Sequence, residues 1–240
     1  MIAALMIGRA GSSGLPRKNM MEVLGRPLCA YPLLAAEHSR HVILTFVSTD
    51  CPEIAKVAFG FGAEIIERPP ELATKAALGE DAFVHGYREI VRLAGEPELL
   101  VLLMANAATI SGELIDEGIE TLRAHPALDS AVTVSRFNMW SPARARRISD
   151  SGCLEPFMPQ AAGAGNCDRD SQGDVWFADM GASIVRPRCL ENIGSGMPPQ
   201  RWMGTNIHPI KSEAGCDIDY AWQVPGVEWW LRRHGVDSQH

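Results

Sequence analysis

Wholly apolar runs alternate along this chain with segments whose apolar positions recur at helical spacing. The first run is Ile2-Ala3-Ala4-Leu5-Met6-Ile7, and Leu99 to Met104 is another. A run with no polar position has no face for water, so both predict strands buried on two sides. Further strands are predicted over 42–48, 63–66, 130–135 and 175–186. Helices are predicted over 28–38, from Pro52, over 78–93, from 111 to about 124, and over 220–233. Pro52 suits a first helical turn with Asp50 as a candidate N-cap, and Ser111 is the candidate cap of its own helix. Strand and helix alternating through residue 135 predict an α/β fold with a mostly parallel sheet covered on both faces. Beyond that point the pattern loosens. Residues 142–160 read as a hairpin turning at Asp150-Ser151-Gly152, and 161–174 as a loop. No linker divides the chain, so residues 1–240 read as one domain, with 136–175 as a lid or interface subregion.

Composition narrows the class. The 240 residues are 46% hydrophobic and carry a net charge of −7, from 22 basic and 29 acidic side chains. That balance argues against a broad nucleic-acid surface. No apolar run approaches the roughly 20 residues that span a bilayer. The first run lacks a basic flank and reads as a core strand, not a signal peptide. Cysteines at 29, 51, 153, 167, 189 and 216 form no C-x-x-C pair. They fit reduced thiols in a cytoplasmic protein better than disulfides or zinc.

Chemistry concentrates where the first strand ends. The loop Gly8-Arg9-Ala10-Gly11-Ser12-Ser13-Gly14-Leu15-Pro16-Arg17-Lys18-Asn19 combines three glycines with Arg9, Arg17 and Lys18. Glycines let backbone N–H groups approach an anion, and the basic side chains supply countercharge. The loop suits phosphate. Its G-x-x-G-x-x-G spacing fits neither G-x-G-x-x-G nor G-x-x-x-x-G-K-[ST]. A dinucleotide fold stays open because Asp50 ends the second strand, where a ribose-binding acid would stand. Against it, Pro16, Lys18 and Asn19 lead into irregular chain where a helix should begin. A plain surface turn is the other alternative. Near the end of the chain, Cys216-Asp217-Ile218-Asp219-Tyr220 sets two carboxylates on one face of an extended segment. Both can reach one hard cation, or both can sit solvated. If 144–147 is a strand, Arg144 and Arg146 share a face and could fork a carboxylate, or simply be a solvated basic hairpin.

The loop resembles the A-R-x-G-S-K-G-L-P-x-K-N signature of the CMP-sialic acid synthetases, the acylneuraminate cytidylyltransferases. Arg26-Pro27-Leu28-Cys29-Ala30-Tyr31 is similar to their K-P-L-I-x-Y segment, Val47-Ser48-Thr49-Asp50 to V-S-T-D, and Arg68-Pro69-Pro70-Glu71-Leu72-Ala73 to R-P-x-E-L-A. These motifs follow in order over residues 1–136, and Asp217-Ile218-Asp219 resembles the family's D-I-D-T. The resemblance implies a Rossmann-like nucleotide-diphosphosugar-transferase fold and a homodimer. It implies that a 2-keto sugar acid is activated with CTP to a CMP-sugar and pyrophosphate. It assigns Arg9, Ser12, Lys18 and Asn19 to the nucleotide; the loop glycines Gly8, Gly11 and Gly14 would lend backbone donors, and Asn106 is a further nucleotide-binding candidate. Arg9 and Lys18 are the catalytic cations, Asp217 and Asp219 hold Mg2+, and Arg144 and Arg146 are candidates for the sugar carboxylate. The expected partners are a nucleoside triphosphate and a sugar acid, without nucleic acid or membrane.

Three departures keep alternatives open. Ser13 replaces the lysine of S-K-G. Leu102-Leu103-Met104-Ala105-Asn106-Ala107-Ala108 occupies the place of L-L-Q-P-T-S-P, so Met104 stands for a base-reading glutamine and Asn106 is the nearest amide. Met180-Gly181-Ala182 replaces N-G-A, with Asp179 one residue earlier as a substitute. GTP is therefore an alternative to CTP. A non-catalytic nucleotide-binding relative and an NAD(P)-dependent oxidoreductase are the other function classes.

Overall fold

The computed structural model describes residues 1–11, 14–159, 163 and 165–236. The first apolar run is β1 (Ile2–Ile7), and the glycine loop after it ends in a single 3-10 turn, Lys18–Met20. The short hairpin β2 (Glu22–Val23) and β3 (Arg26–Pro27) follows. Alternation then sets in with α1 (Ala30–His38), β4 (Leu44–Thr49), α2 (Pro52–Gly60) and β5 (Glu64–Glu67). It continues through α3 (Gly79–Ala94), β6 (Leu99–Met104), α4 (Gly112–Ala124) and β7 (Ser130–Arg136). The second half adds the hairpin β8 (Arg146–Ile148) and β9 (Leu154–Pro156), then the long strand β10 (Trp176–Val185). Last come α5 (Pro187–Glu191), β11 (Ile207–Ser212) and α6 (Val224–Arg233).

Seven strands form one sheet in the order β11-β7-β10-β6-β1-β4-β5. All neighbours run parallel except β10, which is antiparallel to both β6 and β7. Alternate residues of β1 explain why it is apolar throughout. Ile2, Ala4 and Met6 join a core with Leu33 of α1, Ile54 of α2 and Ile119 of α4. Ala3, Leu5 and Ile7 join a second core with Phe83, Tyr87 and Ile90 of α3. Each fully buried large aliphatic side chain contributes about 1.5–3 kcal/mol, so the paired cores are the main stabilising term. The helices supply matching stripes: Ala82, Phe83, Gly86, Tyr87 and Ile90 recur on one face of α3. A third cluster seats Val227, Trp230 and Leu231 of α6 against Leu28, Tyr31 and Ile218.

The chain leaves β1 toward β4 and β5 on one side, then crosses to β6 on the other. That reversal opens a crevice at the carboxyl ends of β1 and β6, where α/β sheets bind ligands.

Several expectations need correction. α1 begins at Ala30, after a turn in which Tyr31 N–H bonds Leu28 O. Asp50 does not cap α2; Cys51 is its N-cap and makes no side-chain cap bond. The Asp50 carboxylate instead accepts the Ala10 N–H at 2.9 Å, so it pins the glycine loop. Ser111 does cap α4, accepting from Leu114 N–H at 3.4 Å. The hairpin predicted over 142–160 is regular only in β8 and β9. Arg144 lies before it in a turn, so Arg144 and Arg146 do not share a strand face. The last helix starts at Val224, after a 3-10 turn at Ala221–Gln223. Strands β2, β3 and β11 and helix α5 were not foreseen. Pro209 in β11 is tolerated because that strand is the sheet edge.

Candidate active site

Gly8 is the first residue past β1, and its N–H continues the sheet by bonding Ser48 O at 3.2 Å. A Cβ there would lie 2.7 Å from Ala105 Cβ, so glycine lets the loop leave between two strand ends. Gly14 is needed for a different reason: a Cβ would meet the Asp219 carbonyl oxygen at 3.0 Å. The loop thus rests its backbone on the D-x-D segment. Arg9 Nη1 donates to Thr74 O at 2.8 Å, and Arg17 pairs with Glu53 at 2.7 Å. Lys18 Nζ is bonded to Asp219 Oδ1. Asn19 is buried, and its Nδ2 donates to Arg9 O at 3.1 Å, while its Oδ1 is buried without a partner among the described residues.

These groups line one cavity of about 310 Å3. Gly8, Arg9, Gly11, Gly14, Lys18, Asn19, Asn106 and Asp219, all singled out in the sequence, border it. Ser12 and Ser13 lie outside the described residues. Asp217 is reached through Asn106, whose Nδ2 donates to Asp217 Oδ2 at 3.0 Å. Burial pushes the Asp217 carboxyl above its ordinary value and the charge of Asp219 adds to the rise; the Asn106 hydrogen bond and Lys18 oppose it. Asp217 and Asp219 are the residues here that could hold a cation, which would have to displace the Lys18 ammonium from Asp219.

The opposite wall is apolar. Ile7, Leu72, Leu78 and Met104 line it together with Gly79. A Cβ on Gly79 would stand in ordinary contact with Ile7 Cδ1 at 3.8 Å and Met104 Cε at 3.9 Å, so the three pack together there.

One lining residue was missed. Arg68 is buried, with Nη2 donating to Ser48 O at 2.5 Å and Nε to Ser48 Oγ at 3.3 Å. Burial pulls its guanidinium down to about 10, Asp50 opposes this and Arg9 adds to it, so Arg68 stays charged at neutral pH. The signal was its place directly after a parallel strand, at the ligand-binding end of the sheet.

Other expected residues lie elsewhere. Arg144 and Arg146 border a separate cleft of about 380 Å3 with Asn166 and Gln172. Arg144 gives its guanidinium to Gln172 Oε1 and to the carbonyls of Cys167 and Asp168, and Arg146 donates to the carbonyls of Ala143 and Ala145. Asp179 sits in a bulge of β10 where Met180 has φ of 64°. Its oxygens accept from Thr133 Oγ1, Ser135 Oγ and Gly181 N–H at 2.5, 2.7 and 3.1 Å, so they are spoken for within the fold.

A model of the cytidylyltransferase family matches residues 3–139, from β1 through the end of β7. The chain belongs to the cytidylyltransferase family. Within that family it is 26% identical over 226 residues to the N-acylneuraminate cytidylyltransferase of Oncorhynchus mykiss, covering 93% of this chain and 49% of the relative. It is 32% identical over 135 residues to N-acylneuraminate cytidylyltransferase A of Danio rerio, covering 56% of this chain and 30% of the relative. It is also 31% identical over 123 residues to the 3-deoxy-manno-octulosonate cytidylyltransferase of Anaeromyxobacter dehalogenans, covering 51% and 48%. The chain thus spans half or less of the length of these relatives. Among solved structures it is similar in fold to a CMP:2-keto-3-deoxy-manno-octonic acid synthetase complexed with CTP. That match has a TM-score of 0.68 at 18% identity and covers 97% of this chain and 99% of the other. The 4-diphosphocytidyl-2C-methyl-D-erythritol synthase of Anaerococcus prevotii follows, with a TM-score of 0.64 at 14% identity over 97% and 96%. The cytidylyltransferase fold is the mostly parallel α/β arrangement that the alternating runs predicted.

Proposed function

We propose that this chain transfers a cytidylyl group from CTP to a 2-keto sugar acid of the sialic or a related nonulosonic type, releasing pyrophosphate. One observation carries the reading. The glycine loop, the cations Arg9 and Lys18, and Asp219 of the D-x-D segment line one cavity together with apolar side chains. A sugar hydroxyl attacks the α-phosphorus and gives up its proton to solvent water. The new P–O bond forms as the bond to the bridging oxygen of the β-phosphate breaks, and pyrophosphate leaves. Little covalent chemistry falls to the protein, so catalysis rests on positioning and countercharge. Arg9 and Lys18 offset charge on the transferred and leaving groups, the loop N–H groups hold phosphate oxygens, and Asn19 offers its buried Oδ1 to a donor such as a ribose hydroxyl. The base lies against the apolar side of the cavity, at Leu72, Leu78 and Met104.

Mg2+ fits the residues present. Among the described residues no group of three or more His, Cys, Asp or Glu gathers around a point. Two oxygen-donor carboxylates, Asp217 and Asp219, beside a phosphate loop are the sparse ligand set that Mg2+ uses. When bound, the ion supplies countercharge to the phosphates.

A second reading concerns the base. Met104 gives the apolar side of the cavity no amide, which favours testing GTP beside CTP. The remaining elements of the proposal are a homodimer, supported by the exposed apolar side of the β8–β9 hairpin, and a cytoplasmic location, supported by six free cysteines. No described helix is long and apolar enough to cross a membrane.

The test is pyrophosphate release with CTP, GTP, UTP and ATP against a panel of 2-keto sugar acids. Turnover with CTP and at least one acid is expected, and Asp217→Ala should abolish the Mg2+-dependent signal. Tight nucleotide binding without release over the whole panel would turn the reading to a non-catalytic relative. NAD(P) binding indifferent to Mg2+ would turn it to an oxidoreductase.

A further inference from the structure

Asn106 stands two residues past the end of β6, and both its main chain and its side chain reach the D-x-D segment. Ile218 N–H donates to Asn106 O at 3.0 Å. Asn106 Nδ2 donates to Asp217 Oδ2 at 3.0 Å and to Ile218 O at 3.3 Å. Further along the same loop, Thr109 Oγ1 accepts from Cys216 N–H at 2.9 Å and donates to Cys216 O at 3.1 Å. The segment with the two carboxylates is therefore laced along the loop between β6 and α4. Within that lacing, the hydrogen bond to the Asp217 carboxylate comes from Asn106. An amide is suited to the task. It fixes a carboxylate by donating a hydrogen bond and adds no charge, so it does not compete for the site as the Lys18 ammonium does at Asp219. The same amide N–H, given to Asp217, is not available to read a base.

We propose that Asn106 is the positioning residue of Asp217. It holds Oδ2 so that the rest of the carboxylate is presented to a divalent cation. This rests on the reading of Asp217 as a metal-holding residue. Partners of this kind behind a ligand usually matter to metal affinity by about 10- to 100-fold.

The experiment titrates Mn2+ into the full chain, alone and with CTP, and follows the electron paramagnetic resonance signal of free Mn2+. Asn106→Ala should weaken Mn2+ binding by about 10-fold or more. Its thermal midpoint should fall only modestly, because the backbone bond to Ile218 remains, and CTP affinity without metal should fall less than Mn2+ affinity. Asn106→Leu keeps the volume without the donor and should behave the same way; it carries the test if the alanine variant fails to fold. Wild-type Mn2+ affinity in the folded variant, with binding lost in Asp217→Asn, overturns the role of Asn106 and leaves the metal reading standing. Wild-type Mn2+ affinity in Asp217→Asn overturns both. Loss of CTP affinity in the absence of metal, with Mn2+ binding intact, makes Asn106 a nucleotide contact and overturns the proposal.

Discussion

A methyl group on Gly8 would lie 2.7 Å from Ala105 Cβ and 3.2 Å from Ile54 Cδ1, both in the core on which the phosphate loop stands. Ala105 Cβ cannot swing away, and Ile54, on the buried face of α2, has little room to move in the core. Nothing lies within 4 Å of the corresponding position on Gly11. Gly8→Ala should therefore cost about 1–3 kcal/mol, the usual penalty for overfilling a packed site. Gly11→Ala should stay within about 0.5 kcal/mol of wild type. Urea unfolding of the two variants decides it, and equal midpoints would show that the loop base yields. In the sequence the glycines of G-x-x-G-x-x-G are equivalent, because what distinguishes Gly8 is a residue brought alongside by the pairing of β1 with β6. Arg68 was overlooked for a related reason. Its role depends on burial behind Ser48 and on its distance from Asp50 and Arg9, none of which a motif spells out.

Asp129 joins three elements. It precedes β7, accepts from the N–H groups of Thr205 and Asn206 at 3.0 Å just before β11, and pairs with Arg188 Nε of α5 at 2.9 Å. Burial works to raise its pKa, but the Asn206 and Thr205 N–H groups and the Arg188 guanidinium outweigh it and hold the carboxyl down to about 2, against an ordinary value of 3.8. A carboxyl depressed in the folded state stabilises fully above its ordinary value, and that contribution is lost as pH falls through about 2. Because Arg188 is 45% exposed, solvent screening trims the effect, and Asp129→Asn should cost about 1–2 kcal/mol at neutral pH. The gap between variant and wild type should narrow steadily below pH 3.8. A gap that stays constant with acidification would mean the ionised form is not what matters. β11, which this knot anchors, was invisible in the sequence. Ile207-His208-Pro209-Ile210 carries a proline and mixed polarity, and only its place at the sheet edge makes a strand of it. Strands β1 and β6 were plain because burial on two faces leaves no polar position.

Across the whole molecule the crevice at the ends of β1 and β6 and the β8–β9 hairpin are separate structures, since the hairpin is its own two-stranded sheet. The motifs exposed the crevice because its residues are consecutive in a loop or at i, i+2 in D-x-D. The expectation for Arg144 and Arg146 was harder to read: they stand two apart in sequence, yet Arg144 lies in a turn and Arg146 begins β8, so they share no strand face. The hairpin has unlike faces. Arg147 pairs with Glu155 at 2.6 Å on one, while Ile148 and Leu154 stand opposite one another on the other, 75% and 73% exposed. Two large apolar side chains in water gain about 1.5–3 kcal/mol each when covered, which favours pairing with a second copy that presents the same patch. Replacing both Ile148 and Leu154 by Glu would set like charges directly across the strand pair and across any two-fold contact. The double variant should sediment as a monomer at concentrations where wild type is a dimer. Its thermal midpoint should match that of the wild-type monomer, because neither residue belongs to the three buried cores. A wild-type chain that stays monomeric throughout, or a double variant that still dimerises, would remove the hairpin from the assembly and leave its apolar face without that explanation.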